Sequence, residues 1–189
     1  MLASVLAACD PRLDRAIALA LQAHAGQVRK GQVGIPYVVH PLQVGALLAR
    51  HGFEPVVIAA AGILHDVVED SEVGLAEIAA RVGPQVAALV AEVSEDKALS
   101  WEQRKQHTID AIATMSPGAR AVTAADKVHN LADLTQLLAA RGAEVWKLFR
   151  RGREPTLDYY RRVHAQLALA FPHPLTDALA ALLEEVVRG

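Results

Sequence analysis

Apolar residues recur at helical spacing along most of the chain, and turn residues separate the periodic segments. The first stripe consists of Leu13, Ile17, Ala20, Leu21 and Ala25. Spacings of three and four residues place such side chains on one face of a helix. Six later segments start at or beside a proline, which the first helical position tolerates well. They cover about 41–51, 55–70, 84–93, 117–131, 155–169 and 174–187, and further helices are expected at about 74–81, 101–115 and 144–149.

The amino-acid composition favours a core built from helices. The chain has 189 residues, of which 52% are hydrophobic but only 4% aromatic, so Ala, Leu and Val must fill the interior. These residues suit close helix packing better than a sheet. We therefore predict an all-α, single-domain helical bundle over residues 1–189, because no domain boundary or internal repeat interrupts the pattern.

Charge, hydropathy and cysteine content exclude several classes of protein. The formal net charge is -2 and no basic stripe is interleaved with aromatics, so nucleic acid is not an expected partner. The longest apolar run, residues 56–64, is far shorter than the roughly 20 residues of a membrane span and predicts a buried core helix instead. The single cysteine, Cys9, excludes a disulfide framework and predicts a reducing compartment such as the cytoplasm.

The first nine residues allow two interpretations. Their ending, Leu6-Ala7-Ala8-Cys9, resembles a lipoprotein processing site. A secretory signal needs a basic start, however, and the first basic residue of this chain is Arg12. A first amphipathic helix is therefore the preferred interpretation.

Four ionisable side chains end the apolar segment that starts at Pro55, namely His65, Asp66, Glu69 and Asp70. In a continuous helix, His65 and Glu69 share one face while Asp66 and Asp70 share the adjacent one. The three carboxylates would also lie near the negative end of the helix dipole, where anions are disfavoured. Because a bound cation would relieve this repulsion, the pattern predicts a metal site with acid or base groups beside it.

Candidate metal ligands come from three separate parts of the chain. They are His40, His65, Asp66 and Asp126. This mixed nitrogen and oxygen set suits Mn²⁺, Fe²⁺, Co²⁺ or Zn²⁺ in an open, catalytic site. Asp126 has a second interpretation, since a carboxylate on an apolar helix face needs a partner, and Lys127 or Arg120 would supply a purely structural ion pair.

Several short motifs occur in the order typical of one enzyme family. They lie at residues 23–30, 36–41, 64–70, 92–97, 104–105 and 125–131, with Gly83 between the third and the fourth. Through these motifs the chain resembles the HD-domain metal-dependent phosphohydrolases, in particular the hydrolase domain of the RelA/SpoT homologues and its small, Mesh1-like alarmone hydrolases. The resemblance covers about residues 16–135 and implies an HD-domain helical bundle.

The resemblance implies a metal-dependent hydrolase. The implied ligands of a single Mn²⁺, or of another divalent transition metal, are His40, His65, Asp66 and Asp126. Glu69 and Asp70 are implied to act beside the metal on the scissile phosphate, and which of them serves as acid or base is left open. The implied reaction removes the 3′-diphosphate of ppGpp or pppGpp, giving GDP or GTP and pyrophosphate.

The resemblance also assigns a substrate-binding role to three residues. Arg29 and Lys30, on the glycine-rich loop 26–36, match positions that contact the guanine base and the phosphates, and Asn130 matches one that contacts the nucleoside. A guanidinium can stack on a purine, while an ammonium offers a point charge to phosphate. Tyr37 either packs near the nucleoside or anchors the loop. Ion pairs are preferred to phosphate contacts for the remaining basic residues of the motifs, which are Lys97, Arg104 and Lys105.

Some positions depart from the family pattern. Val28 replaces a frequent basic residue, Gly31 a frequent acidic one, and Ile35 an often polar one, which weakens the inference about the nucleotide. Beyond about Leu138 the likeness becomes faint. The helices over 143–189 are expected to pack on the rest of the domain, and they leave self-association into a homo-oligomer open.

Two alternatives to alarmone hydrolysis stay open. In the first, the same site acts on another nucleotide or on a phosphorylated cofactor such as NADPH. In the second, the chain is a non-catalytic, metal-binding signalling module. Intact Glu69 and Asp70 argue against the module, because a domain without catalysis has no need of acid or base groups beside its metal.

Overall fold

The computed structural model describes residues 10–32, 34–58 and 62–189, and within these ranges the protein is all-α. Ten α-helices and one 3₁₀-helix form this part of the chain. They are α1 (Pro11–Ala23), α2 (Val39–Arg50), α3 (Pro55–Ile58), α4 (Val67–Asp70), α5 (Leu75–Arg81), α6 (Pro84–Val93), α7 (Trp101–Ala111), α8 (Pro117–Arg141), the 3₁₀-helix Gly142–Leu148, α9 (Arg153–Ala170) and α10 (Pro174–Arg188). The predicted fold class is therefore confirmed, whereas the two interpretations of residues 1–9 lie outside the described residues.

Most helices begin where capping residues and prolines predicted. The Ser116 side chain accepts a hydrogen bond from the Ala119 amide, and Pro117 follows it at the first helical position. Ser100 and Gln103 form a reciprocal capping box at the start of α7. Three starts come two residues earlier than predicted. The helix α9 begins at Arg153, the 3₁₀-helix begins at Gly142, and α2 begins at Val39 rather than at Pro41 and so includes His40 in its first turn.

The long helix α8 forms the centre of the bundle. It packs against α2, α6, α9 and α10. Small side chains such as Ala121, Ala124 and Ala125 are fully buried on it and allow the close packing that the composition predicted. Asp126 is also buried, so α8 carries a carboxylate into the interior. The extent of the domain over residues 1–189 stays a prediction.

The face of α1 that enters the core differs from the predicted stripe. Ala16, Leu19 and Ala20 are fully buried, whereas Leu21 is 51% exposed. Ala20 confirms part of the predicted stripe, and Leu13 and Ile17 pack partly buried against the same core, so the prediction was wrong only for Leu21 and Ala25. Several adjacent Ala and Leu residues in α1 leave periodicity alone unable to choose among them.

The segment that carries His65 and Asp66 is not one continuous helix, which corrects the sequence prediction. The chain is helical in α3 and again at residues 62–64, but residues 65 and 66 form a turn before α4. Asp66 therefore precedes the four-residue helix α4 as its N-cap residue instead of ending a long helix. The predicted shared faces and the repulsion from a helix dipole consequently do not apply.

A close contact between two glycines fixes this segment against α2. A Cβ atom added to Gly62 would lie 1.9 Å from the Cα atom of Gly45. No side chain fits between the two backbones at this point. The contact holds the turn with His65 beside the helix that carries His40. None of the described helices is long and apolar enough to cross a membrane.

Candidate active site

Three buried side chains from separate elements place their ligand atoms within 4.8 Å of one another. They are His40 on α2, His65 in the turn before α4, and Asp126 on α8. The Nε2 atom of His40 lies 3.1 Å from Oδ1 of Asp126, and Nε2 of His65 lies 3.7 Å from the same oxygen. This geometry gives a divalent cation two imidazole nitrogens and a carboxylate oxygen at once.

Asp66 brings a second carboxylate to the same two histidines. Its Oδ2 atom lies 3.1 Å from Nε2 of His65 and 3.7 Å from Nε2 of His40. Adjacent residues of a regular helix diverge by about 100°, so the turn at His65 and Asp66 allows both side chains to reach one cavity. The Tyr37 hydroxyl donates a hydrogen bond to the same Oδ2 atom over 2.5 Å and fixes its position.

Asp126 is held on both of its oxygens. Lys127 donates to Oδ2 over 2.6 Å, and the side-chain amide of Asn130 donates to Oδ1 over 2.6 Å. Burial alone would raise the pKa of Asp126, but the charge of Lys127 and the contacts with His40 and His65 hold it well below its usual range. The two interpretations of Asp126, an ion pair with Lys127 and a metal ligand, are thus compatible. The ion pair uses Oδ2, whereas Oδ1 faces the histidines.

The outer nitrogen of His40 contacts another histidine. Its Nδ1 atom lies 2.9 Å from Nδ1 of His129 on α8. Burial is the main cause that lowers the pKa of His129, to about 4, and burial also lowers the pKa of His40. Both rings are therefore neutral at pH 7, and a proton on Nδ1 of His40 leaves its Nε2 lone pair free for a cation.

The surroundings of His65 fit a bound cation. Both of its ring nitrogens are buried, and Nε2 faces the Asp66 and Asp126 carboxylates without the geometry of a hydrogen bond to either. Burial alone would lower the pKa of His65, but the charges of Asp66 and Asp126 outweigh burial and raise it to about 10. The two carboxylates thus favour positive charge at this position, which a divalent cation would supply in place of a proton.

The two carboxylates that follow, Glu69 and Asp70, differ in their surroundings. Glu69 lines the same cavity of about 170 Å³ as His40 and His65. It accepts a hydrogen bond of 2.8 Å from the Glu95 amide, yet burial raises its pKa to about 7. The carboxylate of Asp70 instead accepts a hydrogen bond of 2.7 Å from Lys97.

The predicted substrate residues Arg29 and Asn130 lie in contact. Arg29 donates from Nη2 to Oδ1 of Asn130 over 2.6 Å and from Nε to Asp133 over 3.0 Å. Its guanidinium carbon lies 5.7 Å from the centre of the Tyr37 ring. The loop that carries Arg29 is closed by hydrogen bonds between the backbones of Arg29 and Ile35 and of Tyr37 and Gln27.

Lys30, the third predicted substrate residue, lines one small cavity together with Arg29 and Asn130 and contacts an aromatic ring there. Its ammonium lies 4.8 Å from the centre of the Phe149 ring. Burial lowers the pKa of Lys30. Gly31 beside it has φ +78°, a backbone conformation that favours glycine over any residue with a side chain.

The ion pairs predicted for the other basic residues are confirmed. Lys97 pairs with Asp70, and Lys105 donates to Glu95 over 2.7 Å. Arg104 lies 3.7 Å from the same Glu95 carboxylate. Burial would raise the pKa of Glu95, but the charge of Lys105 keeps it below its usual value, so this residue stays ionised.

Two residues of the site were not among the predictions. His129 supports His40, and the backbone of Glu95 supports Glu69. His129 had a detectable signal, because it follows Asp126 by three residues and shares its face of α8. The Glu95 contact depends on a backbone amide, which no side-chain pattern reveals.

Comparisons with known proteins agree with this geometry. A family model described as an HD domain matches residues 16–156. The guanosine-3′,5′-bis(diphosphate) 3′-pyrophosphohydrolase MESH1 of Mus musculus is 39% identical over 126 residues, which make up 66% of this chain and 70% of that protein.

Two solved structures have the same fold. The structure of lmo0812 from Listeria monocytogenes superposes with a TM-score of 0.73 at 36% identity, over 79% of this chain and 99% of that one. A metazoan orthologue of SpoT, described as hydrolysing ppGpp, superposes with a TM-score of 0.78 at 27% identity over 96% of both chains. Because the family model matches more than half of the chain, the protein belongs to the HD-domain family.

Proposed function

We propose that the protein hydrolyses the 3′-diphosphate of ppGpp or pppGpp, giving GDP or GTP and pyrophosphate. The observation that carries the proposal is the meeting of two histidines and two aspartates with a raised-pKa carboxylate, Glu69, in one cavity. The relatives supply the substrate class, since MESH1 and the SpoT orthologue are named for this reaction.

The proposed metal ligands are His40, His65, Asp66 and Asp126, and the proposed metal is Mn²⁺. When bound, such a metal lowers the pKa of a coordinated water and screens charge on the phosphoryl group. The mixed donor set supports Mn²⁺ over Mg²⁺ or Ca²⁺, which prefer oxygen ligands. The cytoplasm is the proposed location, for which the single cysteine is the support.

We assign the proton-transfer role to Glu69. Its pKa of about 7 allows it to accept and release a proton near neutral pH, and the Glu95 amide fixes the orientation of its carboxylate. Asp70 has a supporting role, because Lys97 occupies its carboxylate. This assignment distinguishes two residues that the sequence left equivalent.

Arg29 is the proposed contact for the purine base. Its guanidinium is held in place by Asn130 and Asp133, so its position is fixed before a ligand binds. A guanidinium held in this way offers a flat surface to a base at little cost in conformational entropy. Asn130 is the proposed contact for the nucleoside. Its side-chain amide also donates a hydrogen bond to Asp126.

The test is release of pyrophosphate from ppGpp by purified protein with Mn²⁺. The preferred inactive variant is Asp66→Asn, which removes a ligand charge and is expected to lower kcat by a factor of at least about 10³. Asp126→Asn is less suitable, since it leaves the buried Lys127 without its carboxylate and destabilises the fold as well.

Unchanged activity in Asp66→Asn would contradict the proposal, as would a lack of pyrophosphate release by the unaltered protein with every divalent metal tried. The same assay with NADPH distinguishes the alternative substrate. Higher kcat/KM for NADPH than for ppGpp would favour that alternative.

A further inference from the structure

The connector between α6 and α7, residues 94–100, contacts both carboxylates of α4. The Glu95 amide donates a hydrogen bond to Glu69 over 2.8 Å, and the Lys97 ammonium donates one to Asp70 over 2.7 Å. An irregular segment has no regular ladder of hydrogen bonds that fixes the direction of its amides. The direction of the Glu95 amide therefore depends on the contacts that the connector makes with neighbouring elements.

The strongest of these contacts is made by the side chain of Glu95 itself. Its Oε1 atom accepts hydrogen bonds from Lys105 over 2.7 Å and from Thr108 over 3.1 Å. Its Oε2 atom lies 3.7 Å from Nε of Arg104. The side chain is only 13% exposed, so water competes little with these charge-assisted contacts. All three partners belong to α7, and the Glu95 carboxylate thus holds the connector against that helix.

The cation that binds Glu95 is held from another side by α9. The Nζ atom of Lys105 lies 5.0 Å from the centre of the Tyr159 ring, and this ring is buried. The Trp101 ring at the start of α7 lies 6.5 Å from the same Tyr159 ring. The ion pair of Glu95 and Lys105 is therefore part of the packed interior, unlike an exposed ion pair whose side chains move freely.

A direct role of the Glu95 carboxylate is the alternative, because Glu95 lines the metal cavity together with Glu69. Both of its carboxylate oxygens, however, already face donors or a cation of α7. Its printed contact with Glu69 is made by the backbone amide instead. This division of contacts favours an action of Glu95 through Glu69 over an action on the substrate.

We infer that Glu95 is a positioning residue, whose carboxylate is held on α7 so that its own backbone amide points at Glu69. The inference rests on the proposed function and deepens it, since Glu69 is the proposed proton-transfer group. The amide binds Oε1 of Glu69 and leaves Oε2 for proton transfer. A misplacement of a reacting group by about 1 Å can lower the rate roughly 100-fold, so the direction of this amide matters for kcat.

The first test is the variant Glu95→Gln, which keeps the shape of the side chain but removes its charge. The value of kcat for ppGpp is expected to fall about 10-fold to 100-fold, while KM and Mn²⁺ affinity stay unchanged. The control is Glu77→Gln, which removes a carboxylate from the exposed ion pair with Arg81 and should leave kcat unchanged. An unchanged kcat in Glu95→Gln, or a change confined to KM or Mn²⁺ affinity, would overturn the inference.

A double-mutant cycle distinguishes positioning from a general structural role. If Glu95 acts through Glu69, Glu95→Gln should cause no further loss of kcat in a protein that already carries Glu69→Gln. A structural role would lower the residual activity of that protein as well. An equal loss in both backgrounds would therefore contradict the inference.

Hydrogen exchange at the amide of residue 95 tests the same inference without turnover. The exchange should be at least about tenfold faster in Glu95→Gln than in the unaltered protein, because the amide loses its hydrogen bond to Glu69. Thr108→Val should accelerate it too, and this variant leaves no buried charge without a partner. A lack of ppGpp hydrolysis by the unaltered protein would count against the proposed function alone. Unchanged exchange in both variants would overturn the positioning role of Glu95.

Discussion

Two of the proposed metal ligands, Asp126 and His40, each direct one polar atom into the cavity and use the other in a contact with a neighbouring side chain. Asp126 turns Oδ1 toward the histidines and Oδ2 toward Lys127. His40 turns Nε2 toward the carboxylates and Nδ1 toward His129. Such contacts fix the orientation and tautomer of a ligand in advance, so residues outside the ligand set also determine metal affinity.

Asn130 is expected to affect metal binding even though it is not a proposed ligand. Asn130→Ala removes the hydrogen bond to Oδ1 of Asp126 and should weaken Mn²⁺ binding by about 10-fold to 100-fold, measured by calorimetry or by the electron paramagnetic resonance of free Mn²⁺. Gln136→Ala, on an exposed part of the same helix, is the control. Equal Mn²⁺ affinity in both variants would show that Asn130 contributes only to nucleotide contacts.

The proton-transfer role proposed for Glu69 predicts a definite pH dependence of the reaction. As the pH falls below about 7, Glu69 gains a proton and can no longer accept one from water. The value of kcat/KM should therefore fall about tenfold per pH unit on the acid side, with a midpoint that a bound cation lowers further. Glu69→Gln should have low activity without this dependence, whereas Asp70→Asn should retain it. An acid limb that persists in Glu69→Gln would assign the titration to another group.

Helices were predictable because their signals are local. Ser116 with Pro117, and Ser100 with Gln103, cap helices through contacts within four residues, so a sequence pattern contains them. The ligand set could be proposed for a related reason, since ionisable residues in apolar segments need a partner. The break at His65 was not predictable, because the contact between Gly45 and Gly62 that accompanies it joins distant parts of the chain.

The close contact between Gly45 and Gly62 is expected to set the geometry of the metal site. Gly62→Ala places a methyl group against the backbone of Gly45 and should cost about 1–3 kcal/mol of unfolding free energy, measured by urea denaturation. Mn²⁺ affinity should fall as well, because this contact holds the turn with His65 against the helix that carries His40. Gly74→Ala is the control, since a Cβ atom at Gly74 meets nothing within 4 Å. Unchanged Mn²⁺ affinity in Gly62→Ala would show that the ligands are positioned independently of the contact between Gly45 and Gly62.

Metal binding should stabilise the protein as a unit, because α2, α8 and the segment between α3 and α4 each supply a ligand atom. A cation that binds only the folded state adds about 2.7 kcal/mol at a hundredfold excess over Kd, which corresponds to a rise in Tm of roughly 5–10 °C. Calorimetry with Mn²⁺ and with a chelator measures this shift. Asp66→Asn should lose most of it, and His107→Ala, at an exposed histidine of α7, should keep it. An equal shift in the Asp66→Asn variant would place the stabilising ion elsewhere.

The hydrogen bonds that join Arg29 to Asn130 and Asn130 to Asp126 link two binding events. A base that binds on the Arg29 guanidinium acts on a group that is hydrogen-bonded to the same amide that holds the Asp126 carboxylate. By thermodynamic linkage, whatever factor the nucleotide applies to metal affinity must equal the factor that the metal applies to nucleotide affinity. Cellular manganese and alarmone levels would then act on the enzyme as reciprocal effectors rather than as independent requirements.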